Sequence, residues 1–402
     1  AVAATVSSEE QTSGVRASFR SALANLVMST LGAGQLTLPF VISRMGIVLG
    51  CGSILLCGLL SIYSGCALAR CSQKFRANTY SELLSTAFGR RTKVFVDILI
   101  ALYAWAGGVA FLIIIKEQLR SVASAAPLIW PAAFAPADQG AALMVVLAAS
   151  LIFPLSLLRK LDRLKFTSAF GCAAAFAITS TVIVTAPWGS GGLKACAASA
   201  WVSHVKLLPD SAMDVFAALP LIAFALNSSW AFLNILGTLD RRSQRDGSTR
   251  LIVYAIGIIL GNYYLMSVIG YLSYCGATAP NIMDSLSQQA LHGWRAILAL
   301  TIRATLVLQL ALALPLRFNV ARCVVAGWFP SKRTSLHVAL TAALILSAVG
   351  LAASPLKLNI AIGVTSAICA SFISYIFPAG LELAALRRDA DKARLSRGRV
   401  AA

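Results

Sequence analysis

Five long stretches without a charged residue constrain the fold of this chain most strongly. They are 25, 28, 25, 33 and 23 residues long, and they cover residues 45–69, 166–193, 215–239, 251–283 and 334–356. About 20 apolar residues suffice for one helix to cross a bilayer, whereas a core helix of a soluble protein carries charges on its outer face. The stretches therefore predict an all-α integral membrane protein.

The composition argues against a soluble enzyme. Of the 402 residues, 58% are hydrophobic and only 12% are charged, while soluble domains carry about 25% charged residues. No Cys and His spacing suggests a metal site, and no acid/base or nucleophile set converges in the sequence. We therefore expect no enzymatic activity and no cofactor or metal.

Ten membrane spans are predicted. An amphipathic segment at 79–88 is expected to form a short surface helix between the second and third spans. We divide the chain into a cytoplasmic segment 1–18, a membrane domain 19–380, and a basic cytoplasmic tail 381–402 that is expected to lead to an eleventh helix missing from this sequence. The spans are 19–43, 45–70, 93–118, 140–158, 165–187, 212–238, 250–275, 294–318, 334–353 and 357–379.

The distribution of basic residues predicts the orientation. With the N-terminus in the cytoplasm, 26 of the 34 Lys and Arg residues fall on the cytoplasmic side, including Arg317 near the end of the eighth span. This agrees with the positive-inside rule. The formal net charge of +19 is then a signal of topology, and we expect no nucleic-acid partner.

The first span contains a predicted helix break. Gly32 and Gly34 flank Ala33 near mid-membrane, and Pro39 follows five residues after Gly34. Gly and Pro both weaken a helix interior, and unpaired backbone groups survive in a membrane only inside protein or along a cavity. The alternative is that the small residues serve close helix packing.

The sixth span has a matching irregularity. Pro220 is followed by three consecutive polar residues, Asn227, Ser228 and Ser229, near the centre of the span. Alternatively, the serine hydroxyls bond back to their own helix.

Breaks in the first and sixth spans predict a five-plus-five inverted repeat, with repeats at about 19–187 and 212–379 and a substrate site between them. Free N–H groups at a helix start suit a carboxylate, and free carbonyls with Asn227 suit an ammonium, so a zwitterionic amino acid fits both. The predicted substrate-binding residues are Thr30, Gly32, Ala33, Gly34, Phe224, Ala225, Asn227 and Ser228.

The sequence at these positions resembles the amino acid/auxin permease family over nearly the whole chain. The residues that carry the resemblance are Leu31–Pro39 in the first span, Phe153–Arg159 in the fourth, Leu219–Ala225 in the sixth, Arg303, Pro315 and Arg322 in the eighth, and Asn359–Pro378 in the last. The Ala- and Arg-rich style is similar to that of the kinetoplastid members.

This resemblance implies a LeuT-type fold with discontinuous first and sixth helices, alternating access and an eleventh helix. Sodium-coupled relatives carry a hydroxyl ligand in the eighth helix, where this chain has Ala311, and some carry a second Asn where it has Met28, although Asn25 remains. We therefore expect sodium-independent transport that is proton-coupled or facilitative.

Two further features are singled out. Arg303, about a third of the way into the eighth span, is predicted to gate or couple transport together with Asn25; the alternative is that Arg303 snorkels to the outer headgroups. Cys196 and Cys275 are placed in outer segments, where an oxidising exterior permits a disulfide.

The sequence thus predicts an amino acid permease of the plasma membrane or of a vacuolar or lysosome-like membrane, with lipid, amino acid and proton as partners. An amino acid sensor on the same fold and an unrelated channel or receptor are the alternatives. The particular amino acid, the coupling ion and the oligomeric state do not follow from the sequence.

Overall fold

The computed structural model describes residues 18–77, 79–125, 139–158, 165–186, 205–237, 239, 241–287, 293–329 and 334–400. These residues are helical almost throughout, with no strand among them. The predicted N-terminal segment lies outside the described residues except for Ser18, the N-cap of the first helix, whose hydroxyl accepts from the N–H of Ser21.

The first predicted repeat is built from eight helices. The first span is divided into two of them, and the fourth contains a π-helical turn at Ala148–Ile152. The helices are α1 (Phe19–Thr30), α2 (Gly34–Met45), α3 (Ile47–Phe75), α4 (Tyr80–Phe88), α5 (Arg90–Ala125), α6 (Gln139–Leu147), α7 (Phe153–Leu157) and α8 (Lys165–Thr185).

The second predicted repeat follows the same order, with its first span again divided. π-helical turns at Ser366–Ala370 and Phe372–Ile376 interrupt the last span, and Cys275–Ala277 forms a 3-10 turn. The helices are α9 (Ala212–Ala225), α10 (Ser229–Gly237), α11 (Arg241–Tyr274), α12 (Ile282–Ser287), α13 (Trp294–Ala326), α14 (Thr334–Ala353), α15 (Leu358–Thr365) and α16 (Phe377–Val400).

The helices account for the predicted spans. Among the described residues, eight helices are long and apolar enough to cross a membrane, and α1 with α2, bent by 53°, counts as one more. The fifth predicted span is represented by the shorter apolar helix at Ala169–Thr185. The prediction of a multi-pass membrane protein is confirmed.

Lipid-facing and central spans differ in burial. The second span exposes leucines such as Leu55, Leu56 and Leu59 on one face, and only 33% of its apolar window is buried. In the third and sixth spans the buried share is 67%. Exposed leucines on a peripheral helix suit hydrocarbon. Among the more buried spans, the third packs on the eighth and the first packs on the sixth.

Close packing at the C-terminal end of the first span depends on Gly46. This residue separates α2 from α3 with φ of 77°, a backbone conformation that residues with a Cβ adopt only at a cost. The N–H groups of the next two residues, Ile47 and Val48, donate to the carbonyls of Lys206 and Leu207. The turn thereby ties the start of the second span to the segment that leads into α9.

The last helix extends beyond the predicted end of the membrane domain. α16 continues through residue 380 and through most of the predicted tail, because residues 381–400 are rich in the strong helix formers Ala, Leu and Arg. Arg70 on α3 pairs with Glu382 at 2.5 Å, and Lys74 pairs with Asp389. The tail helix is thus fastened to the end of the second span.

Candidate functional site

The first span is broken at the residues that the sequence indicated. α1 ends at Thr30, Leu31 turns to an extended conformation with ψ of 96°, and α2 begins at Gly34. Pro39 has no N–H to offer the carbonyl of Gln35, which weakens the first turn of α2. The N–H groups of Gly32, Ala33 and Gly34 donate no hydrogen bond within the described residues.

The sixth span is broken at the corresponding place. α9 ends at Ala225 and α10 begins at Ser229, so Leu226, Asn227 and Ser228 form the irregular segment. Asn227 and Ser228 are 2% and 1% exposed. The alternative that Ser228 bonds back to its helix is not what the structure shows, because its hydroxyl is among the buried atoms without a hydrogen-bond partner.

The two breaks lie against each other. A Cβ added to Gly34 would stand 2.6 Å from Cα of Ala225, closer than any real contact. Gly34 therefore lets the start of α2 touch the end of α9, which supports the packing alternative at this position. Gly32 differs: a Cβ there would stand 3.5 Å from the ring of Phe111 on α5, an ordinary contact distance.

Tyr263 on α11 ties the two breaks together, and the sequence analysis missed it. Its hydroxyl is 3.1 Å from the carbonyl of Thr30 and 2.8 Å from that of Ala225, the last residues of α1 and α9. The side chain is fully buried. Asn262, the preceding residue, donates to Gln35 Oε1 at 3.1 Å. A polar pair in the middle of the uncharged stretch 251–283 was the available signal.

The remaining predicted substrate residues line the breaks in different ways. Thr30 is buried and its hydroxyl bonds back to the carbonyl of Leu26. Phe224 packs on Tyr103 of α5 with ring centroids 5.7 Å apart. Asn227 accepts from the Ser374 hydroxyl at 2.8 Å, while its Nδ2 is buried without a partner among the described residues.

Arg303 is placed away from the breaks. It is 4% exposed, and it donates to Gln118, to Ser121 and to the carbonyl of Met283 at 2.7–3.0 Å. It therefore ties α5, α12 and α13 together inside the protein, which favours a structural role over snorkelling to the surface. Asn25 lies in α1, partly exposed, before the break.

The structure describes only one of the two cysteines of the predicted disulfide. Cys275 is disulfide-bonded, while Cys196 lies outside the described residues. The free cysteines among the described residues are Cys51, Cys57, Cys66, Cys71, Cys172, Cys323 and Cys369. No group of three or more His, Cys, Asp or Glu side chains that could hold a metal ion occurs in the described part.

Comparison with known proteins agrees with this geometry. The family described as transmembrane amino acid transporter protein matches residues 15–397. A relative from Rattus norvegicus, "Sodium-coupled neutral amino acid transporter 7", is 27% identical over 313 residues, which are 77% of this chain and 65% of the relative. "Amino acid transporter AVT6A" from Arabidopsis thaliana is 25% identical over 386 residues, which cover 91% and 81% of the two chains.

The human protein with the same name as the rat relative is 25% identical over 75% of this chain and 63% of its own length. The chain thus spans somewhat less than two thirds of these mammalian relatives. Among solved structures, "Crystal structure of MhsT in complex with L-phenylalanine" matches with a TM-score of 0.57 and 13% identity, over 92% of this chain and 89% of that one. That likeness supports the LeuT-type fold predicted from the resemblance.

The family match covers nearly the whole chain, and the broken first and sixth spans are where the LeuT-type fold has them. The chain belongs to the transmembrane amino acid transporter family, the amino acid/auxin permease family that its motifs indicated, which is a family of transporters and not of enzymes.

Proposed function

We propose that this chain is a permease that moves amino acids across a membrane by alternating access. The observation that carries the proposal is the contact of Gly34 with Ala225, which brings together two helix breaks, 32–33 and 226–228. Backbone polar groups without partners are costly in a membrane interior unless protein or a ligand satisfies them. A site formed by two such breaks suits a small zwitterion.

The start of α2 is the carboxylate half of the proposed site. Three consecutive N–H groups, those of Gly32, Ala33 and Gly34, have no acceptor among the described residues. They stand at the positive end of the helix dipole, and such helix starts bind anions through their N–H groups. The α-carboxylate of an amino acid is the ligand that fits.

The end of α1 and the irregular segment after α9 form the ammonium half. Because Gly32 and Ala33 donate no backbone bond, the carbonyls of Met28 and Ser29 lack their helical donors. The unpartnered Ser228 hydroxyl adds a third acceptor. Asn227 has its oxygen occupied by Ser374 and presents its Nδ2, so in this arrangement it offers donors to the substrate and not acceptors.

The broken spans also provide the moving parts that alternating access needs. With the N-terminus in the cytoplasm, α2 and α9 are the outer halves of their spans, and Gly34 packs directly on Ala225. The inner halves, α1 and α10, are connected to them only through non-helical segments. Irregular segments of this kind absorb backbone rotation when packed halves move.

On coupling, we propose sodium-independent transport, driven by protons or facilitative. Met28 packs its thioether against Gly171, and Ala311 is fully buried; neither side chain offers the oxygen that a hard cation prefers. The names of the mammalian relatives favour sodium coupling instead. A specific oxygen supports that alternative, since Gln309 Oε1 is buried without a partner while its Nε2 donates to Gly171.

Uptake of radiolabelled amino acids into proteoliposomes tests both proposals. We expect time-dependent accumulation of at least one amino acid, little change when choline replaces sodium, and stimulation by an inward proton gradient if transport is driven. Strict dependence on sodium would overturn the coupling proposal and direct attention to Gln309. Binding without flux would favour an amino acid sensor on the same fold.

We place the protein in the plasma membrane, with a vacuolar or lysosome-like membrane as the alternative, and its N-terminus in the cytoplasm. The charge asymmetry of the loops supports the orientation. A protease site added at the N-terminus should be protected in sealed, right-side-out cells and cleaved after permeabilisation. Cleavage in sealed cells would reverse the orientation.

A further inference from the structure

Three arginines of α13 differ in how the protein satisfies them. Arg303 donates to Gln118, Ser121 and the carbonyl of Met283. Arg322 donates to the carbonyl of Ser156 at 2.6 Å, to Thr341 at 3.0 Å and to Asn319. Both guanidinium groups are therefore held by oxygens of the protein and have a structural explanation.

Arg317, between them, has no such oxygens. It makes no ion pair or hydrogen bond within the described part of the chain, and its Nη1 is enclosed without an acceptor. Its one close polar interaction is with the ring of Phe111, whose centroid is 4.3 Å from the guanidinium carbon. A cation over an aromatic face replaces only part of the solvation that a charge loses in a protein interior.

The space for this guanidinium is made by a glycine. A Cβ added to Gly107 on α5 would collide with Nη1 of Arg317. The side chain of Arg317 leans toward the start of α13, as helical side chains do, and so reaches the middle of the third span. The residue as a whole is partly exposed, while its enclosed Nη1 has no acceptor among the described residues. This arrangement points to an interaction that the protein alone does not supply.

The guanidinium lies one aromatic ring away from the first helix break. The guanidinium of Arg317 stacks on the ring of Phe111. A Cβ added to Gly32 would contact the same ring at 3.5 Å. Tyr103, also on α5, packs its ring on Phe224 at the end of α9. Arg317, on the eighth span, thus lies across the Phe111 ring of the third span from the first helix break.

We propose that Arg317 binds a carboxylate on the substrate side chain, so that the transporter takes acidic amino acids. The inference rests on the proposed function, in which the free N–H groups of α2 bind the α-carboxylate. A neutral amino acid then has no second anion for Arg317, whereas an acidic one has. Charge-assisted hydrogen bonds between guanidinium and carboxylate are the strongest that a side chain makes, and a cationic substrate is repelled.

Binding of matched acid and amide pairs tests this. Purified wild-type protein in nanodiscs is titrated with L-glutamate, L-glutamine, L-aspartate, L-asparagine and L-lysine in a calorimeter. We expect each acid to bind about tenfold or more tightly than its amide, and lysine not to bind. Arg317→Gln should weaken the acids about tenfold and change the amides less than about threefold.

Two further variants separate recognition from folding. Gly107→Ala keeps the charge but displaces the guanidinium, and it should also weaken the acids selectively. Arg295→Gln, on the same helix where Arg295 stacks on Trp294 at the outer end, should leave every affinity unchanged. If Arg317→Gln is not monodisperse, the wild-type comparison of acids with amides decides the matter alone.

The outcomes also distinguish this inference from the proposed function. If the wild type binds neutral or cationic amino acids as tightly as acidic ones, the inference is overturned and the permease stands. If Arg317→Gln weakens acids and amides equally, Arg317 has a structural role and the inference is again overturned. If no amino acid binds at all, the proposed function fails and the inference fails with it.

Discussion

Gly32 and Gly34 lie two residues apart at one helix break, and we expect alanine to affect different properties at the two positions. It should lower the stability at Gly34 and the substrate affinity at Gly32. At Gly34, an added methyl would stand 2.6 Å from Cα and 2.8 Å from Cβ of Ala225. Because the nearest atom belongs to the backbone, α2 and α9 must separate to accommodate it. Overpacking of this kind costs typically about 1–3 kcal/mol, so Gly34→Ala should lower stability and yield.

At Gly32, the nearest atom to an added methyl is Cζ of Phe111 at 3.5 Å, which is an ordinary contact. Neither glycine has a positive φ, so alanine is not strained at either position. Gly32→Ala should therefore fold normally. Its methyl would nevertheless occupy the break where the substrate carboxylate is proposed to lie, and we expect a loss of about tenfold or more in affinity, equivalent to about 1.4 kcal/mol.

The assay is thermal unfolding and substrate binding on the same purified, monodisperse samples. Gly52→Ala is the matched control, since no heavy atom lies within 4 Å of its added Cβ; both properties should be unchanged. The reasoning is refuted if Gly34→Ala unfolds at the wild-type temperature, or if well-folded Gly32→Ala binds substrate with wild-type affinity.

Three further predictions follow from particular contacts. Tyr263→Phe removes the hydroxyl shared by two buried carbonyls and should cost about 1–3 kcal/mol in thermal unfolding; Tyr264→Phe, which frees only the carbonyl of Cys51, should cost less, and an equal loss would contradict the bridging role. Burial and the Glu117 carboxylate raise the pKa of the Asp284 carboxyl to about 7, from an ordinary 3.8, against the opposing charges of Arg303 and Arg120. The folded state therefore holds a proton that the unfolded state has lost, so stability should fall as pH rises from 5 to 8, and Asp284→Asn should flatten this dependence; an unchanged slope would refute it. A non-reduced digest should yield a peptide that joins Cys275 to Cys196, and free Cys196 in the oxidised protein would refute that pairing.

The spans and breaks could be read from the sequence because the bilayer imposes simple rules. A stretch such as 215–239 is long enough to cross a bilayer, and it lacks the charged residues that a helix of a soluble protein carries on its outer face. Gly32, Gly34 and Pro39 weaken a helix in any context, since their effects are local to the backbone. The divided first and sixth helices were predictable for that reason.

The roles of individual side chains depend on what lies opposite, which one sequence does not contain. The sequence predicts Gly34 in the substrate site because a glycine permits close approach, and the structure adds that the backbone of Ala225 lies against it. The sequence predicts Arg317 among the cytoplasmic charges because it falls near the end of its span. The structure shows that its guanidinium lies against Gly107 on another helix. The sequence does not show what Tyr263 bonds to, because its two acceptors are backbone carbonyls from two other spans.

Two expectations remain predictions: the eleventh helix and the kinetoplastid likeness. The described helices occupy all ten predicted spans, and α16 ends at Val400.

Substrate counterflow tests alternating access through the paired breaks most directly. Proteoliposomes that contain the purified protein are loaded with an excess of unlabelled substrate, diluted into a trace of the labelled form, and followed for transient accumulation of label. A permease exchanges the two and accumulates label without any ion gradient, and Gly32→Ala should reduce this overshoot while Gly52→Ala keeps it. A wild type that binds its amino acid but shows no overshoot would contradict the proposal, since neither a channel nor a sensor produces one.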